Sequence, residues 1–207
     1  MVNYKETKTN YTENLSVKIL FELGINAKRN NLLNKTAVDL IVGNHIRMDV
    51  QYSQDFAKWG DLRLDFVSAY FKDDRNYGSS LSTGIFKEFE ERFGFKVVKV
   101  GKYFQDDYLD AVIILFYNNK LDISIGGNYP DKILIITKDE LINFLNNNKE
   151  KIMRDIKLNH KEDLGDRHGS AFLPVNVGYL QKESVCFFGS LNELKEKSGE
   201  IKRHLGV

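Results

Sequence analysis

The stretch from Thr36 to Gln51 constrains the fold more than any other part of the chain. Two apolar runs, Leu40-Ile41-Val42 and Ile46, Met48 and Val50, flank the turn dipeptide Gly43-Asn44, the pattern of a β-hairpin. In the second run the apolar residues alternate with Arg47, Asp49 and Gln51. On a strand, one set enters a core and the other projects from the opposite face. Asp39 heads the first run, so the hairpin folds its carboxylate back toward Asp49. Two converging carboxylates suit a hard cation such as Mg²⁺ or Mn²⁺, with other positions left to water and a substrate phosphate.

The remaining pattern alternates helices with strands. Thr12 is placed to cap a helix whose Leu15, Ile19, Leu20 and Leu23 follow helical spacing up to a stop at Gly24, with Glu13 in its first turn. Val17 and Leu20 follow Glu13 at i+4 and i+7, so its carboxylate points along an inward stripe. Residues 52–60 read as an aromatic and polar linker. Residues 61–68 read as an alternating strand that pairs beside Gln51 and carries Arg63 there. Residues 72–84 are the most loop-like. A helix is expected over 85–93, and strands over 95–100, 109–117 and 132–137, the middle one buried on both faces. A helix from Lys138 to about Ile156, a short edge segment around Pro174 and a final helix over 191–204 complete the pattern. This is the order of an α/β fold, a mixed central sheet flanked by helices. One domain over 1–207 is expected, with a core of about 10–145 and a C-terminal elaboration of about 146–207.

Composition removes several function classes. The net charge of +1 argues against coating nucleic acid by bulk electrostatics, so any such contact must be local. Lys28, Arg29 and Lys35 form an acid-free cationic group just ahead of Asp39. Lys58 and Arg63 are further cations close in sequence. A second basic group runs from Lys149 to Lys161. No run of eighteen apolar residues and no secretory leader is seen, so no membrane contact is expected, and the single Cys186 fits a reducing cytoplasm. No phosphate-binding glycine loop or dinucleotide fingerprint occurs. His168 beside Ser170 lacks the nucleophile elbow of a serine hydrolase.

A helix acid, a strand Asp, then acid-x-residue on the next strand is an order that resembles the PD-(D/E)xK nuclease superfamily, especially its archaeal Holliday-junction resolvase branch and its viral and mobile-element members. The resemblance covers roughly the first 70 residues. Glu13 matches the helix acid, Asp39 the Asp of the PD pair, Asp49 the second metal acid and Gln51 the Lys position. Val38 replaces the Pro. Gln51 replaces a Lys that in the family orients or activates the attacking water; an amide positions water but brings no positive charge.

The resemblance implies a restriction-endonuclease-like fold and hydrolysis of phosphodiester bonds in DNA, branched DNA among the expected substrates and RNA left open. Asp39, Asp49, the Val50 carbonyl and Glu13 would hold Mg²⁺ or Mn²⁺, and Lys28, Arg29, Lys35, Lys58 and Arg63 would contact the nucleic acid. Symmetric cutting of two strands implies a homodimer, in the cytoplasm, or the host cytoplasm for a viral protein. Two alternatives stand beside this expectation. One is a catalytically silent nuclease fold that binds nucleic acid. The other is a viral structural or interaction protein whose Asp39 and Asp49 are ordinary strand-end acids.

Overall fold

A computed structural model describes residues 4–30, 38–54, 56–71, 84–105, 108–123, 128–160 and 168–207. The protein is mixed α/β and divides into two compact units interleaved along the chain. The first comprises residues 1–60, 107–140 and 185–207, and the second 61–106 and 141–184.

The first unit begins with α1 (Tyr4–Glu22), followed by β1 (Ala27–Arg29) and the hairpin strands β2 (Leu40–Val42) and β3 (Ile46–Ser53). The chain returns as β6 (Ala111–Phe116) and β7 (Lys132–Thr137), and last as β10 (Phe187–Gly189). These strands form one sheet in the order β1-β2-β3-β6-β7-β10, in which only β3 and β6 run parallel. All six residues of β6 are buried, as the continuous apolar run predicts for a central strand.

One face of this sheet carries Leu40, Val42, Met48, Ala111, Ile113, Leu115, Ile133 and Ile135. They pack with Leu15, Ile19 and Leu20 of α1, with Leu23 just after it, and with Leu194, Ile201 and Leu205. The last three come from α7 (Leu191–Glu196) and α8 (Ser198–Leu205), so residues expected as a C-terminal elaboration complete the core of this unit. On the other face Phe56, from the single-turn α2 (Phe56–Trp59), packs its ring 4.5 Å from that of Phe116 and 5.7 Å from that of Phe188.

The helix boundary differs from the expectation. α1 starts at Tyr4, so Thr12 is no cap; its hydroxyl donates back to the carbonyls of Lys8 (3.1 Å) and Thr9 (2.9 Å). Glu13 therefore lies in mid-helix, well away from the dipole end that a first-turn acid complements. The expected stop is found. Gly24 takes a positive φ of 69°, its N–H reaches Phe21 O, and the Ile25 N–H reaches Leu20 O, both at 2.8 Å. That pair of bonds is a Schellman ending, which needs the left-handed residue glycine supplies. The final helix is likewise divided, with Lys197 between α7 and α8.

The second unit is built on a four-stranded antiparallel sheet, β5-β4-β9-β8, from β4 (Asp61–Phe71), β5 (Lys96–Val100), β8 (Lys157–His160) and β9 (His168–Asn176). Phe66 stacks on Phe86 at 4.8 Å and meets Phe89 and Phe104 edge-on at 5.8 Å, joining the sheet to α3 (Ile85–Phe93) and the 3₁₀ turn Lys102–Phe104. The strand at 61–68 is real, but its partners are β5 and β9 instead of β3. Arg63 consequently belongs to this second sheet, exposed, with its guanidinium 5.8 Å from the Phe172 ring centre.

Two further expectations change in this region. β9 is a nine-residue strand with neighbours on both sides, not a short edge segment. Pro174 is tolerated because β8 reaches only to Lys157, opposite Phe172, so at Pro174 one flank of β9 has passed the end of its neighbour. The helix expected over 138–156 is two, α4 (Lys138–Asn147) and α5 (Lys149–Asp155), separated at Asn148. α6 (Val177–Glu183) completes the unit.

Candidate active site

The site is built around the place where β2 stops. Leu40 pairs with Met48, so Asp39 stands opposite Asp49 one step past the last paired residue. In β3, Arg47 both donates to and accepts from Asp110 on the β6 side, through its N–H to the Asp110 carboxylate and its C=O from the Asp110 N–H. N–H and C=O of one strand residue point to the same side, and the side alternates along the strand. Val50 therefore points its N–H and C=O toward β2, at a level where β2 has ended. Its N–H is taken by the carboxylate of Asp39, Oδ2 accepting at 2.8 Å. This bond holds the Asp39 carboxylate against the peptide that links Asp49 to Val50.

Asp49 is only 2 % exposed, on the face of β3 opposite Met48. Gln51 follows on that face, half-buried. Ile46, Val50 and Tyr52 pack against the core on the other face, so the strand divides its side chains by chemistry as the alternation requires.

Glu13 reaches the same corner from α1. It is buried and paired with Arg29 of β1, Oε2 to Nη2 at 2.5 Å. Arg29 also donates to Asn10 (2.9 Å) and Asn14 (3.5 Å), so three side chains of α1 grip one guanidinium. Burial, and secondarily the Asp39 carboxylate, raise the Glu13 carboxyl above its ordinary range, while Arg29 pulls it down. Tyr108, which the sequence did not single out, stands just before β6. Its phenol is pushed up by burial and then by the charges of Asp49 and Asp39. Three carboxylates and a phenol thus share one field.

The basic residues are dispersed. Arg29 is committed to Glu13, and Lys28 beside it is exposed. Lys58 is exposed on α2, Arg63 lies on the second sheet, and Lys35 falls outside the described residues. A cation missed by the sequence reading is Arg47. Its Nε and Nη2 grip Asp110 at 3.0 and 2.7 Å, and Asp110 Oδ2 also accepts the Arg47 N–H at 2.8 Å. Arg47, with Lys138 adding to it, holds the Asp110 carboxyl below the usual carboxylate range.

Among the described residues the donor set is oxygen-rich and small: the carboxylates of Asp39 and Asp49 and the backbone carbonyl of Val50. Among the described residues no group of three or more His, Cys, Asp or Glu side chains is arranged to hold a metal ion. Such a sparse set does not suit zinc, which takes three or four nitrogen, sulfur or carboxylate ligands. It does suit Mg²⁺, which keeps several waters and borrows oxygens from a phosphate. Among the described residues no helix is long and apolar enough to cross a membrane. Comparison of the chain with protein-family models, with curated proteins and with solved structures finds no match.

Proposed function

We propose that the protein is a metal-dependent nuclease that hydrolyses phosphodiester bonds in DNA, with a restriction-endonuclease-like sheet and the PD-(D/E)xK arrangement in its Asp39, Asp49 and Gln51. The observation that carries this reading is the Asp39 carboxylate bonded to the Val50 N–H, beside the buried Asp49. A carboxylate only 2 % exposed has lost most of its water, which is costly for the charged form, and acids in such surroundings cluster at functional sites.

In this reading Asp39, Asp49 and the Val50 carbonyl hold Mg²⁺ or Mn²⁺. When bound, such an ion polarises a phosphate and lowers the pKa of a coordinated water. The Val50 N–H fixes the orientation of Asp39 in advance. Gln51, one step beyond on the face of Asp49, directs water by hydrogen bonding and contributes no charge. The substrate is DNA, the assembly a homodimer that presents two such sites, and the location the cytoplasm.

A second reading, a nucleic-acid-binding protein without cleavage, is favoured by one observation: Arg29 already pairs with Glu13, which leaves Asp39 and Asp49 as the carboxylates for a metal among the described residues. One experiment separates the two. Purified protein is incubated with Mg²⁺ or Mn²⁺ and linear, flapped and four-way DNA, beside Asp39→Ala and Asp49→Ala. Cleavage lost in both variants is expected. DNA binding without cleavage by the unaltered protein would establish the silent reading, and neither binding nor cleavage would leave the acids as structural.

A further inference from the structure

Arg47 and Asp49 are two residues apart on one face of β3, so their Cα atoms are separated by roughly 7 Å, about the spacing of successive phosphates on a nucleic-acid strand. Asp110 fixes the Arg47 guanidinium with two parallel bonds, the fork geometry that also suits phosphate. Asp110 is itself fixed: its N–H donates to Arg47 O at 2.8 Å and its C=O accepts from Lys138 N at 2.9 Å. The pair is not sealed, since about one third of each side chain remains exposed (33 % and 37 %). Lys138 adds its positive charge to that of Arg47 in the field around Asp110.

We infer that Arg47 is a phosphate-binding residue, contacting the backbone phosphate next to the one positioned at Asp39 and Asp49, with Asp110 holding its guanidinium ready. This rests on the nuclease reading for the identity of the strand it contacts. The competing role is a clip that joins β6 to β3 and touches no ligand. The two roles differ in sign at Asp110. A clip weakens when Asp110 becomes Asn. A phosphate site held by a competing anion strengthens, because the amide no longer opposes the incoming phosphate.

The test is fluorescence anisotropy of the full chain with a labelled DNA duplex, in Ca²⁺ in place of Mg²⁺ and over a range of KCl. Arg47→Ala is expected to weaken binding about tenfold and to reduce the slope of log K against log salt by about one. Asp110→Asn is expected to tighten binding even as it lowers the unfolding temperature. Arg47→Gln, which can still bond to Asp110, should behave as Arg47→Ala does and serves if the alanine variant does not fold. Arg47 variants with unchanged affinity and salt slope, or an Asp110→Asn variant that binds more weakly, would overturn the inference. Cleavage that requires Asp49 while Arg47 is neutral for binding would defeat the inference alone. Arg47-dependent binding with no cleavage under Mg²⁺ or Mn²⁺ would defeat the nuclease reading alone.

Discussion

The two units bury different things. Among the described residues, the buried polar and charged side chains are Lys8, Thr12, Glu13, Ser16 and Asp49, and all belong to the first unit. In the second unit the described core is dominated by aromatic rings, with Phe66, Phe86, Phe89, Phe95 and Phe104 in ring-to-ring contact around β4. Aromatic burial of this kind stabilises by area and geometry at little desolvation cost. A buried carboxylate or ammonium brings the opposite balance, because losing water costs more than ordinary packing returns. The first unit therefore carries groups that stability alone does not select, and the second carries the kind that it does.

That contrast can be broken in order of effect. Asp49→Ala should lower Mg²⁺-dependent cleavage by about a thousandfold or more and abolish Mn²⁺ binding, read by titration. Its metal-free unfolding midpoint should stay level or rise, since desolvating a carboxylate this buried costs stability. A fall of several degrees would instead make Asp49 a structural acid. In the second unit, Phe66→Ala should cost about 3–5 kcal/mol in denaturant unfolding, because the ring meets three others and leaves a cavity. A loss below about 1 kcal/mol would mean that the aromatic cluster is not what holds that unit.

Smaller effects sharpen the same comparison. The Ser16 hydroxyl is fully buried in α1 and without a hydrogen-bond partner, so Ser16→Ala should stabilise the protein by about 1 kcal/mol in the same assay. Destabilisation would show that the hydroxyl is engaged after all. The smallest effect is the acid response of Asp110. Its folded pKa lies below the unfolded value near 4, so the contribution of its pairing to stability is complete above that value. The contribution is lost as pH falls through the folded pKa. Compared with the native protein, Asp110→Asn should show a flatter fall in unfolding temperature below about pH 4. Identical acid limbs in the two proteins would remove Asp110 from the account.

Much of the sheet was legible because its strands announce themselves locally. The Leu40-Ile41-Val42 run, the alternation from Ile46 and the uninterrupted 111–116 and 132–137 segments each carry their burial pattern in the residues themselves. The hairpin also places Asp39 opposite Asp49, since register follows from its short loop. What failed needed information from elsewhere in the chain. The first two turns of α1 contain Lys5, Thr7, Lys8, Thr9 and Asn10, with no apolar stripe, so Thr12 looked like a cap. Alternation identified β4 as a strand but could not name β9 as its partner, with Asp61 paired to Asn176. The Arg29 grip on Glu13 and the Asp110 grip on Arg47 are tertiary pairs, and nothing local in the sequence joins their members.

The early end of β2 has a consequence for how such a centre is made or lost. Had the strand continued two residues farther, the amide and carbonyl of Val50 would be spent on an ordinary ladder rung, and the carboxylate now seated there would be displaced. The seating of the Asp39 carboxylate is thus governed by where a neighbour leaves off. Changes in the preceding connection could silence it without altering any acid, and a truncation at the same point in a related sheet could create one.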